Sequence, residues 1–318
     1  MCGRAAFWGG AEMRRALGPA LIAVVAAFCL AFLPLWVSGY ILGLLTTAYY
    51  FGVFSMAWDL LFGFANEVNF GPTFLIGLGA YTAGILDSLY QPPIAVCVAA
   101  GALAAVLGGV VLALPALRVR GPYFGLTTLV AVLILQNFIV VFADLTGGEI
   151  GLTVPDVISV SDKINYWIAL GFMSFSGLVL YGLSRSPVGL ILQASGQDAV
   201  QAGALGFNVV KHKLASFIVS AFFSGLAGAL MVFYLGVASV GTFVDIAVGV
   251  QVIVGAVLGG RRTILGGALG AIFLIGAGEL LRPLGDLSNF IVSAVALVVV
   301  LVFPGGLMGL LGGSREAA

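Results

Sequence analysis

The sequence predicts an all-α, polytopic integral membrane protein with about ten transmembrane helices, nine or ten by count. Three observations lead there. Of 318 residues, 61% are hydrophobic and only 8% charged, whereas about a quarter of a soluble domain is charged. Apolar runs recur at the roughly 20-residue length that a helix needs to cross about 30 Å of hydrocarbon. Eleven of the thirteen Lys and Arg residues fall in alternate loops, the pattern expected where basic residues stay on the cytoplasmic side.

The expected spans run from Leu17 to Val37, Tyr40 to Phe62, Phe70 to Leu89, Ile94 to Leu114, Tyr123 to Ala143, Tyr166 to Leu183, His212 to Gly236, Ile246 to Leu258, Ile264 to Leu281 and Asn289 to Leu311. The pair between Ile246 and Leu281 is short, and reads either as two spans or as one broken, re-entrant element. Arg14 and Arg15 precede the first run, but its length and the absence of an Ala-x-Ala-like exit favour a retained helix over a cleaved signal. With both termini cytoplasmic, only Lys163 and Arg282 face outward, together with the acidic segment carrying Asp144, Glu149, Asp156 and Asp162. Residues 1–318 thus form a single transmembrane domain, with one long cytoplasmic loop at 184–211.

Composition excludes several functions. Zero net charge leaves no basic face for nucleic acid. Cys2, Cys29 and Cys97 are far apart, and His212 stands between two lysines, so neither a disulfide framework nor a metal site is expected. No Walker A loop and no Gly-x-Ser-x-Gly elbow is present; an intramembrane enzyme is the remote alternative, and no cofactor is expected. Carboxylates are scarce in the spans: Asp59, Glu67, Asp87 and Glu279 all lie near span ends, where they can snorkel or pair locally. Transport is therefore expected to be passive, as in a channel or facilitator, or to be energised by another chain.

Glycine, at 46 residues, is placed inside spans at four-residue spacing: Gly79 with Ala83, Gly225 with Ala229, Gly255 with Gly259, and Gly266 with Gly270. Such spacing lets backbones approach closely where lipid supplies no hydrophobic drive. Gly63 to Gly84 also combines glycine, proline and polar residues, and Gly255 to Gly270 glycine and polar residues, as irregular backbone lining a cavity would.

The loop from Arg185 to Asn208 is too long for a hairpin. Pro187 suits a helix start and Gly206 a stop, and Leu190, Ile191, Ala194, Val200, Ala204 and Leu205 can form one apolar face. Gln193 to Phe207 lacks Lys and Arg, so a protein groove is a better seat for this helix than lipid headgroups.

Here the chain resembles the permeases of branched-chain amino-acid ABC importers. Arg185, Ser186, Pro187 and Gly189, then Gly203, Ala204, Leu205, Gly206, Lys213 and Leu214, are similar to that family's coupling-helix loop. Asn69-Phe-Gly-Pro-Thr-Phe-Leu-Ile-Gly-Leu-Gly-Ala-Tyr-Thr82, Leu117-Arg-Val-Arg-Gly-Pro-Tyr-Phe124, Thr146-Gly-Gly-Glu-Ile-Gly-Leu152 and Leu258-Gly-Gly-Arg-Arg-Thr-Ile-Leu-Gly-Gly267 resemble its other motifs in the same order, the second pointing to the LivM type. Pro72, Arg262 and Gly267 depart from the commoner His, Gly and Pro, and Ser195-Gly196 from a usually charged pair.

The resemblance implies a type II ABC-importer-like permease of the inner membrane. It implies two ATP-binding cassette subunits, a second, LivH-like permease and a periplasmic or extracytoplasmic binding protein as partners. Branched-chain or other hydrophobic amino acids are the implied solutes, with urea, amides or another small polar solute as the alternative. Gln193, Asp198, Ala199, Gly203, Ala204, Leu205 and Gly206 would meet the ATPase. Broken helices can offer backbone donors and acceptors to a zwitterion at mid-depth, which makes Asn66, Asn69, Thr73 and Tyr81 the expected polar pathway residues, with Phe70 and Phe74 as its apolar wall.

Overall fold

The computed structural model describes residues 30–37, 39–116, 123–284, 294 and 306–311. Most of the first and last expected spans, the two termini, and the stretch from Leu117 to Pro122 lie outside the described residues. Among those described, regular structure is helical apart from one two-residue ladder. The longer helices are α1 (Gly39–Asp59), which runs on through a π-helical turn (Leu60–Phe64), α2 (Pro72–Tyr90), α3 (Ile94–Ala116) and α4 (Tyr123–Val141). They continue as α5 (Asp162–Arg185), the loop helices α6 (Pro187–Gln197) and α7 (Ala199–Ala204), α8 (Val209–Leu235), α9 (Ile246–Gly259), α10 (Leu265–Leu281) and α11 (Gly306–Leu311). Six segments are long and apolar enough to cross a membrane: Gly39–Phe64, Ile94–Leu114, Tyr123–Val141, Asp162–Arg185, Val209–Leu235 and Val240–Gly259. Leu265–Leu281 is apolar but shorter.

Several expectations are corrected. The third span starts at Pro72 rather than Phe70, because proline is preorganised for the first helical position and Asn69 turns its side chain back onto the Gly71 N–H at 2.8 Å. The seventh starts at Val209 rather than His212, since Asn208 caps the Lys211 N–H at 3.0 Å. The stretch from Ile246 to Leu281, read as two spans or as one broken element, is two helices, α9 and α10, joined through the irregular residues 260–264. The single loop helix expected from Gln193 to Phe207 is divided at Asp198. That residue is extended (φ −147°, ψ 100°), and its carboxylate caps α7 by accepting from the N–H groups of Val200 (2.8 Å) and Gln201 (3.0 Å).

The connections segregate into two faces. On one, the ladder pairs Leu152 with Ala238 and Thr153 with Val237, antiparallel, between α4–α5 and α8–α9. The T-G-G-x-x-G-L element leads into it, with Gly147, Gly148 and Gly151 all at positive φ. Asp87 accepts from the Asp156 N–H on this side, and Glu279 pairs with Arg282 and accepts from Tyr40. On the opposite face, the α1–α2 loop, the α9–α10 tip and the α5–α8 loop come together. This is the grouping that the alternation of basic loops requires; we refer to the two as the ladder face and the coupling face.

Small residues set the helix spacing. A Cβ on Gly79 would stand 2.2 Å from the Gly225 carbonyl oxygen, and one on Gly225 2.1 Å from the Ala105 Cβ, so α2, α3 and α8 meet nearly backbone to backbone. In the α9–α10 hairpin, a Cβ on Gly270 would meet the Gly255 oxygen at 2.0 Å, and one on Gly259 the Gly266 oxygen at 1.8 Å. The four glycine pairs read from the sequence are thus the seams of the bundle. Gly270→Val should lower stability by at least about 2 kcal/mol through overpacking, whereas Gly278→Val on the same helix, with nothing within 4 Å among the described residues, should be near neutral. Thermal unfolding of the purified variants in detergent checks the contrast.

Candidate functional site at the coupling face

The apolar run of α1 ends in Trp58-Asp-Leu-Leu-Phe-Gly-Phe64, which places a carboxylate inside a buried helix. Asp59 is 1% exposed, and an unpaired charge at such a position would be costly. It is instead held by backbone donors of the α9–α10 tip: Oδ1 accepts from Arg262 N (3.1 Å) and Oδ2 from Ile264 N (2.9 Å). Arg262 and Ile264 both adopt positive φ, 65° and 52°, a conformation that side chains other than glycine seldom take. The two bonds to an ionisable acceptor offset that strain.

More bonds tie the tip to the end of α1. Arg262 Nε donates to the Gly63 carbonyl (2.8 Å), and Arg261 donates to Asn66 Oδ1. The Arg261 guanidinium also lies 4.5 Å from the Phe62 ring centroid, and Phe62 stacks on Trp58. Partial burial and the adjacent Arg262 lower the Arg261 pKa from its ordinary value, while Asp59 opposes the shift.

The α5–α8 loop is seated on the same turn. A Cβ on Gly196 would stand 2.7 Å from the Phe64 oxygen and 3.1 Å from the Ala65 carbonyl carbon, so α6 rests directly on the backbone that leaves α1. Lys213, at the start of α8, forms an ion pair with Glu67. The R-S-P-x-G opening has a local cause: Ser186 caps α6, and a Cβ on Gly189 would collide with the Ser184 oxygen at 2.2 Å.

The far side of this loop is open. Leu192, Ser195 and Ala202 are buried against the bundle, but Leu205 and Val200 are each 76% exposed, Leu190 is 62% exposed, and Ala194 and Ala204 also face outward. Of the expected ATPase contacts, Ala199, Gly203, Ala204, Leu205 and Gly206 are exposed, whereas Gln193 and Asp198 are half-buried. Gly206 takes φ 90° and stops the segment as its sequence position suggests.

The expected pathway residues are divided. Asn66 is exposed at the coupling face beside Arg261, and Phe70 is 44% exposed with its N–H on Thr128 Oγ1 (3.0 Å). Asn69 is buried, and its carbonyl accepts from Trp58 Nε1 (2.6 Å). Thr73 and Tyr81 are buried on α2 with hydroxyls that find no partner among the described residues, and Phe74 is half-buried against the core. Sequence reasoning missed Thr128 and the Asp59 clamp. The signal for the clamp was the lone acid in a span, paired with two arginines in a nearby tip.

Comparison with known proteins places the chain in a family. Residues 40–304 match the family model described as "Branched-chain amino acid transport system / permease component". The chain is 27% identical over 309 residues to the high-affinity branched-chain amino acid transport system permease protein LivM of Escherichia coli K12, covering 86% of this chain and 71% of that protein. It is 26% identical to LivM of Salmonella typhimurium, over 80% and 67% of the two chains. LivH of Salmonella typhimurium is 27% identical over 45% of this chain and 46% of its own. No solved structure matches.

The clamp has a measurable consequence. Asp59→Leu leaves the N–H groups of Arg262 and Ile264 without their acceptor, at about 1–3 kcal/mol each, and should release the tip. Limited trypsin digestion after Arg261 and Arg262 should then be several-fold faster than in the wild type, with Asp59→Asn intermediate because it keeps one acceptor oxygen.

Proposed function

Because the chain belongs to the permease family of branched-chain amino acid transport systems, as an ABC-transporter permease of the LivM type, we propose that it carries branched-chain or other hydrophobic amino acids by alternating access driven by ATP hydrolysis in partner subunits. The observation that carries the reading is the two-sided loop: α6 rests on the α1 turn through Gly196, while Val200, Ala204 and Leu205 present an apolar surface away from the bundle. An ATPase groove seated on that surface can push on α1 and on the loop leading to α2.

The working assembly in this reading is two ATP-binding subunits, a second permease like LivH, and an extracytoplasmic binding protein that selects the solute. The coupling face is cytoplasmic, as are both termini. The grouping of loops supports this: Arg185, Lys211, Lys213, Arg261 and Arg262 all belong to connections of the coupling face, whereas Asp144, Glu149, Asp156 and Asp162 cluster in the connection that carries the ladder. Asp59, the one acid of α1, is engaged by backbone donors rather than poised as a proton carrier. An outside energy source is consistent with that.

Two experiments test this. In a cysteine-free background, Gln197→Cys should react with an impermeant thiol reagent only from the cytoplasm and Thr153→Cys only from outside; labelling of both from one side would overturn the topology. Leu205→Glu would bury an unpaired charge in the ATPase groove, and Gly206→Pro cannot keep a φ of 90°. Both should insert normally yet lose co-purification of the ATP-binding subunits. Wild-type association and uptake in both would defeat the coupling assignment.

A further inference from the structure

The α1–α2 connection climbs back into the bundle. After α1 reaches Phe64, residues 65–71 reverse direction, and Asn69 is level with Trp58, whose indole donates to its carbonyl. Helix α2 therefore begins well inside the bundle. The depth follows from its neighbour: a Cβ on Gly249 would stand 3.5 Å from Thr73 Oγ1, and Gly249 lies ten residues before the end of α9 at Gly259, roughly 15 Å from the coupling-face tip at 1.5 Å per residue. Towards the ladder face, Gly84 on α2 already packs against Leu152 and Val154. The N-terminus of α2 thus lies inside the bundle, between the coupling face and the ladder face.

That terminus is chemically unfinished. Its N-cap, Gly71, provides no side-chain cap, and Pro72 has no N–H. Of the first-turn groups, the Phe74 N–H turns back onto the Gly71 carbonyl (3.1 Å), and the Thr73 N–H is left at the positive end of the helix dipole. Beside them, Thr73 Oγ1 is fully buried and has no hydrogen-bond partner among the described residues, which is exceptional for a buried hydroxyl. It faces a glycine, so that only a bare backbone covers it from the α9 side.

We infer that the N-terminus of α2, with the Thr73 hydroxyl and backbone N–H opposite Gly249, is the seat for the carboxylate of an amino-acid solute in transit. This rests on the proposed transport of amino acids and adds the point of recognition. A helix N-terminus is a ready site for an anion, and broken helices at mid-depth place such ends toward anionic groups of a solute. The present conformation closes the seat between α2 and α9. Separation of these helices during the transport cycle exposes the hydroxyl and the N–H together, and the missing side chain at Gly249 leaves room for the carboxylate.

The test uses the complete importer reconstituted with its ATP-binding subunits, partner permease and binding protein, with radiolabelled leucine as the probe. Thr73→Val keeps the shape of the side chain and removes the hydroxyl; Thr73→Ser keeps the hydroxyl. The expected result is a fall of about tenfold or more in the maximal leucine uptake rate for Thr73→Val, near-normal uptake for Thr73→Ser, and wild-type assembly and ATPase activity for both. Gly249→Leu, which covers the seat, should match Thr73→Val, while Gly249→Ala should be mild. Normal uptake by Thr73→Val, or equal losses in Thr73→Ser and Thr73→Val, would overturn the seat while leaving the importer reading intact. Absence of ATP-dependent leucine uptake by the wild type would overturn both.

Discussion

Backbone that leaves helical geometry where it is buried must find partners for its polar groups, and this constraint organises the coupling face. The chain departs from helix at residues 65–71 and 260–264, and each departure is closed by side chains aimed at main-chain groups. Trp58 and Thr128 satisfy Asn69 and Phe70, Asn69 satisfies Gly71, and Asp59 takes two N–H groups of the α9–α10 tip. A single acid in α1 is thus explained without a proton pathway. Its two oxygens fix the position of a tip whose own dihedral angles are unfavourable.

The lipid solvent explains the bundle's seams. Lipid tails are as apolar as leucine, so helices gain little by hiding apolar side chains from them and depend on close contact. The glycine pairs of α2, α8, α9 and α10 supply it, allowing α10 to approach α9 and α2 to approach α8 at distances no side chain would permit. Large apolar residues such as Leu107, Val111, Ile134 and Phe138 remain on the outer surface of α3 and α4, where hydrocarbon accommodates them at no cost.

Much of this is legible in the sequence because the signals are local. Apolar length fixes the helices, four-residue glycine spacing marks the seams, and alternating basic loops group the connections by face. Other features depend on residues far apart in the chain. Asp59 reads as a near-interface charge until the α9–α10 tip, some two hundred residues on, is folded beneath it. The break at Asp198 was missed because the apolar pattern on both sides shares one helical face, although aspartate is also a strong helix cap. Asn66 and Thr73 look alike as polar residues in an irregular stretch, yet the chain reversal at 65–71 sends the first to the surface and the second to the middle of the bundle.

That reversal also supplies the mechanical link between the two halves of the proposed cycle. Gly196 touches the backbone at Phe64 and Ala65; five residues later, Phe70 is bonded to Thr128 on α4, and α2 begins at Pro72. A displacement of α6 is delivered to a short non-helical strap, which cannot absorb it by stretching because Trp58, Asn69 and Thr128 pin its far end. In the proposed cycle the displacement would therefore pass to α2, which starts at the end of the strap beside α9, the helix that covers Thr73. In that cycle, motion at the coupling face and exposure of the α2 start would share one path through the backbone, while the Asp59 clamp keeps the α9–α10 tip with the end of α1.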